Sequence, residues 1–247
     1  MSIKNRDSMI LFPMLRLESR IVAAAFFALA LAGCADTSRI DNPVLGRLSW
    51  FQYLAGEDIK APCVAETPAR YRFIYNAVFD EQVRAYDLVR TETGAELRVR
   101  VSGGDFRLLE FGFGTSWRPE TVKRDSAAQL DRETYLALIR QIEADGFGAA
   151  PQDGMRLQSY DFYWAVSACA GGRFHFNAWR NETPEFAALR FPALLYAHDK
   201  TDIPPARPYA QTYAAHVDRI RDKSGVDKNF EMIVRNGGLV GTAPWFR

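Results

Sequence analysis

Histidine and cysteine are scarce in this chain, three of each among 247 residues. His175, His198 and His216 stand on separate stretches. No His-Glu-x-x-His pair sets two of them on one helical face, and no Cys/His spacing describes a zinc site. The Gly-x-Ser-x-Gly elbow and the Ser-x-x-Lys pair of serine nucleophiles are missing as well. Neither sign of charge dominates, with 31 basic against 30 acidic residues, so electrostatics supplies no case for a nucleic-acid partner. No uncharged run reaches the ~20 residues that a membrane-crossing helix requires. Internal repeats and low-complexity tracts are also lacking. No metal or other cofactor is expected.

Apolar material is plentiful. Hydrophobic residues make up 48% of the chain and aromatic ones 13%, which suits a folded domain with a real core rather than a disordered stalk.

Near the start, Arg16 and Arg20 precede the uncharged run Ile21 to Leu31, small residues Ala32 and Gly33 follow, and a polar stretch runs from Ala35 to Asn42. This is the layout of a secretory signal. Leu31-Ala32-Gly33-Cys34 resembles the lipobox of bacterial lipoproteins, a likeness confined to the first 34 residues. It implies that residues 1–33 are a signal peptide, that Cys34 receives a diacylglyceryl group, and that cleavage before Cys34 frees an amino group for acylation. More than one acyl chain is what stable membrane attachment requires. Met9 and Met14 offer alternative starts, because the stretch before Ile21 is long and contains Glu18. Ala35 rather than Asp follows Cys34, which by the sorting rule of enteric bacteria favours the outer over the inner membrane. The expected setting is therefore membrane-anchored and periplasm-facing.

Cleavage leaves 214 residues with 27 basic and 28 acidic side chains. Residues 34–41 then form a lipidated tether and 42–247 one domain. With Cys34 lipidated, Cys63 and Cys169 remain as a pair in an oxidising compartment, where a bridge between them is expected; two buried free thiols are the alternative.

Asn42 as N-cap and Pro43 at the first position open a helix whose stripe is Val44, Leu45, Leu48, Phe51 and Leu54, stopped by Gly56. That stripe packs on its own domain, on the membrane surface or on a partner. From Arg70 the period becomes two. Tyr71, Phe73, Tyr75, Ala77 and Phe79 alternate with Arg70, Arg72, Ile74, Asn76 and Val78; Val83 to Arg90 and Leu97 to Val101 follow, and Phe106 to Phe113 is a fourth strand candidate. These read as an antiparallel meander with one wetter face. Asp131 caps a helix over Arg132 to Asp145 whose buried stripe is Tyr135, Leu138, Ile139 and Ile142, with Leu130 stapled to Tyr135 and Gly146 ending it. Ser159 to Ala168 and Arg173 to Trp179 form a hairpin about Gly171-Gly172. Thr183-Pro184 opens a helix that Pro192 breaks, Pro208 opens a last one, and the tail from Gly237 to Arg247 reads as irregular. The fold class expected is α+β, an antiparallel sheet of about six strands with helices grouped on one face or end.

A two-residue turn sets Trp164 opposite Trp179, Val166 opposite Asn177 and Ala168 opposite His175. Trp164, His175, Asn177 and Trp179 then share a face with Phe162 and Tyr160. Rings with a few polar groups build sugar and small-ligand sites, and they also build ordinary half-buried sheets. Arg70, Arg72, Arg98 and Arg100 compose either a basic patch suited to phosphates or an acidic polymer, or a solvated strand face. Asp80, Glu81 and Asp161 are carboxylates available for acid and base work. The function expected is a lipid-anchored cell-envelope protein acting by non-covalent binding, as an accessory or assembly factor with an envelope protein partner. The alternative is a periplasmic hydrolase of an envelope polymer using His175 or a carboxylate pair.

Overall fold

The computed structural model describes residues 50–79, 81–102, 122–209 and 230–242. The proposed signal, Cys34, the tether, the first turns of the helix opened by Pro43, the candidate strand 106–113 and the helix after Pro208 lie outside them.

Six strands form one antiparallel sheet: β1 (Arg70–Ala77), β2 (Gln82–Arg90), β3 (Gly94–Ser102), β4 (Val122–Asp131), β6 (Phe162–Ala170) and β7 (Arg173–Arg180), in the spatial order β4-β3-β2-β1-β6-β7. The class is α+β, as the periodicity implied. Tyr71, Phe73, Tyr75, Tyr86, Leu88, Leu97, Val99, Val101, Trp164 and Val166 point to one face and meet Tyr135, Leu138 and Ile142 of helix α3 (Arg132–Ala144). Phe191 and Leu195 of helix α5 (Phe191–Ala197) join that core, and the short helix α4 (Pro184–Ala188) packs beside it through Phe186.

The opposite face is covered too. Helical residues 50–55, here α1, and the single turn α2 (Glu57–Lys60) bring Trp50 and Leu54 against Ile74, Ala85 and Ala165. Beside them lies a second antiparallel sheet of β5 (Arg156–Gln158), β8 (Glu231–Arg235) and β9 (Gly238–Thr242), in the order β5-β8-β9, whose Leu157, Met232 and Val234 complete this core. The result is three layers, with the large sheet in the middle. The expected wetter face is accordingly limited to the outer strands. β6 is buried at eight successive positions and β1 at seven, because covering both faces removes the alternation that a half-solvated sheet would show.

Local chemistry explains the boundaries. Asp131 caps α3 by accepting the Thr134 N–H at 2.8 Å, and Gly146 at φ +90° turns the chain so that Phe147 N–H donates to the Ile142 carbonyl at 3.0 Å. Gly171 and Gly172, at φ +56° and +71°, make the two-residue turn that fixes the β6–β7 register. Asn236 and Gly237, at φ +51° and +71°, do the same for β8 and β9. The tail read as irregular thus contains a strand, since an Asn-Gly turn folds Gly238–Thr242 back onto β8. Cys63 and Cys169 are joined by a disulfide with Cα atoms 5.7 Å apart, tying the loop after α2 to β6.

Candidate functional site

The hairpin register is the one the turn dictates: Trp164 lies opposite Trp179, Val166 opposite Asn177 and Ala168 opposite His175. The face they share is turned inward. Trp164 stacks on Tyr75 at 4.9 Å and meets Phe191 at 5.0 Å, and Trp179 meets Phe191 at 5.7 Å; both indoles are buried. His175 Nε2 donates to the Phe147 carbonyl at 2.6 Å, with its ring edge-on to Phe147. A carbonyl only accepts, so this contact assigns the proton to Nε2. Asn177 Nδ2 reaches the carbonyls of Gly146, Phe147 and Ala149 at 3.1, 3.3 and 3.3 Å, and its Oδ1 accepts from Ala178 N–H at 2.8 Å. The four residues named for binding therefore hold the core and the turn behind α3.

The arginines of β1 are not a free basic patch. Arg72 is 2% exposed and lies 3.6 Å over the Tyr53 ring. It donates to both Asp58 oxygens at 2.6 and 2.9 Å and, through Nε, to Asp87 Oδ1 at 3.0 Å. Arg70 adds 3.1 Å to Asp87 and 3.2 Å to Asp58, and Tyr53 hydroxyl donates to Asp87 Oδ2 at 3.1 Å. Burial alone would push the Asp87 carboxyl up, but Arg72, Arg70 and Arg100 outweigh it and hold it below the ordinary range. Arg98 is exposed and paired with Glu96 at 2.6 Å. Asp87 across the strand pair and Asp58 on α2 neutralise the β1 arginines, and Glu96 on the same strand pairs Arg98; the arginine spacing reveals none of these partners.

A second buried guanidinium, Arg84, is bound by Asp199 and the Ile203 carbonyl, with Gln82 Oε1 3.0 Å from Nε. Tyr86 hydroxyl donates to Asp199 at 2.9 Å, and Tyr75 hydroxyl to the Ala206 carbonyl at 2.8 Å. These bonds strap residues 199–206 across the helix-bearing face. Of the remaining carboxylates, Asp161 accepts the Phe162 N–H at 2.8 Å and is pushed upward mainly by burial, while Glu81 accepts from Tyr209 hydroxyl at 2.8 Å. Asp80 lies outside the described residues.

Among the described residues, an open cleft of about 270 Å³ lies between α3 and α5. Leu97, Leu130 and Leu138 are its buried floor, Ala137 and Leu194 are its walls, and Glu133, Thr134 and His198 line it with polar groups. Sequence reasoning put Leu138 on the buried stripe of α3 and stapled Leu130 to Tyr135 but missed the cleft. The available signals were Leu194 and His198 four apart behind Pro192, facing Glu133 and Ala137 four apart on the first turns of α3. Among the described residues no cluster of three His, Cys, Asp or Glu is arranged to hold a metal, and no helix is long and apolar enough to cross a membrane.

These features define a disulfide-stapled α+β protein whose buried guanidinium groups, Arg72 and Arg84, are paired and whose helical layer carries a largely apolar cleft. In comparisons with known proteins, the chain matches no family model, no curated protein and no solved structure.

Proposed function

We propose that the chain is a lipid-anchored protein of the bacterial envelope, attached through Cys34, facing the periplasm from the outer membrane and acting by non-covalent binding of an envelope protein partner. The observation that carries this reading is the Cys63–Cys169 bridge. It suits an oxidising compartment and leaves Cys34, in Leu31-Ala32-Gly33-Cys34, as the remaining cysteine of the sequence. Binding is preferred to hydrolysis because His175 is engaged with the Phe147 carbonyl, while the α3–α5 cleft is lined by four leucines and Ala137 beside Glu133, Thr134 and His198.

The test is metabolic labelling with an alkyne fatty acid during expression in a Gram-negative host, followed by cross-linking in the intact envelope. Label should appear on the wild-type chain, disappear in Cys34→Ser, and accompany a stoichiometric cross-linked protein that the soluble variant fails to capture. An unlabelled wild-type chain overturns the anchor; a labelled chain with no protein cross-link overturns the accessory role.

A further inference from the structure

We propose that the α3–α5 cleft receives one large apolar side chain of a partner polypeptide, with a lysine or arginine of the same segment set against Glu133. This rests on the reading of the protein as a binder and names the chemistry of what it binds. Size argues for a single side chain: about 270 Å³ falls short of the ~300 to 1,000 Å³ that encloses a drug-sized ligand. Leu97, Leu130 and Leu138 make a dry floor, and Leu194 is 36% exposed at the wall, so a leucine or phenylalanine entering there removes apolar surface on both partners from water.

Charge selects the neighbour. Glu133 is exposed and has no ion pair among the described residues. Two positions earlier, Asp131 is held below the ordinary carboxylate range chiefly by the Thr134 N–H and in smaller part by His198, so two carboxylates flank the single exposed Arg132 at this end of α3. An acyl chain ending in a carboxylate would meet like charge, whereas a cationic side chain meets its complement. The chain enters the described fold through residues 50–60, on the face of the large sheet opposite α3 and α5.

The test uses the full chain in isolated membranes and a defined probe, acetyl-photoleucine-lysine amide. After irradiation, adducts are mapped by mass spectrometry of the digested protein. Adducts should concentrate in residues 130–140 and 191–198. Their yield should fall about two- to fivefold in Glu133→Gln, the range of an exposed ion pair, and by a similar factor when the probe carries glutamate in place of lysine. Ala137→Trp, which fills the cleft, should abolish them. Adducts scattered over the surface, or yields indifferent to both charge changes, overturn the proposal. Glu133 is exposed, so Glu133→Gln decides the matter even if Ala137→Trp fails to fold. Fatty-acid label on Cys34 is read from the same samples, so failure of the cleft is distinguished from failure of the anchor.

Discussion

Asp87 sits between Arg70 and Arg72 where desolvation and ion pairing oppose each other, and pairing wins. Its carboxyl titrates lower in the folded chain than in the unfolded one, so the stabilisation is complete above the ordinary Asp value of ~3.9 and is lost as pH falls through the lower folded value. Urea unfolding followed from pH 6 to pH 2 should show stability dropping across that acid window in the wild type and a shallower drop in Asp87→Asn; equal slopes would refute the assignment. Arg72→Ala leaves a buried carboxylate without its main partner and should cost about 3 to 5 kcal/mol at pH 7. A glycine carries comparable weight. Gly56 adopts φ +72°, and a Cβ there would lie 2.4 Å from Ser167 Oγ. Gly56→Ala should therefore destabilise by about 2 to 4 kcal/mol, combining left-handed strain with overpacking. In thermal melts, Ser167→Gly should recover the packing part and leave the strain.

Among the elements, the turn after α3 depends on a strand that is far away in sequence. Asn177→Ala removes a donor from three carbonyls and the acceptor of Ala178 N–H, and should cost about 1 to 3 kcal/mol. Hydrogen exchange at residues 145–149 should accelerate more than at β1; a uniform change would mean that Asn177 does not anchor this turn. The β6–β7 register was legible in the sequence because Gly171-Gly172 leaves a single pairing, and α3 was legible from Asp131 to Gly146. β4 was not. Arg124, Asp125, Ala127 and Gln129 are exposed on an edge strand, and a polar edge strand reads as a loop. The β8–β9 hairpin was read as an irregular tail: Asn236-Gly237 is a turn signal, but its strands are five residues each, too short for a clear period. The burial of Arg72 was not legible, since one of its partners comes from a preceding helix and the other from the neighbouring strand. The cleft was hidden for the same reason: its lining joins two helices and two strands that only the fold brings together.

At the scale of the whole molecule, the disulfide spans 106 residues, and on the chain-entropy model a loop of that size is worth about 4 to 5 kcal/mol. The Cys63→Ser/Cys169→Ser variant should unfold at a markedly lower urea concentration than the oxidised protein, and adding reductant to the wild type should move it toward the variant. A midpoint insensitive to reductant would show that the bridge does not carry the fold. The cleft and residues 50–60, where the described chain begins, occupy opposite layers of the fold.

The small sheet joins residues 156–158 to a hairpin at 231–242. During synthesis, the large sheet has all six strands once Arg180 has emerged, and its helix-covered core can close soon afterwards. The other core waits. Leu157, Phe176 and Ala178 stay without the cover of Met232 and Val234 until the closing stretch of the chain arrives. A chain cut short before residue 231 would present a finished sheet with one greasy side covered only in part, by Trp50 and Leu54, and so exposed to aggregation.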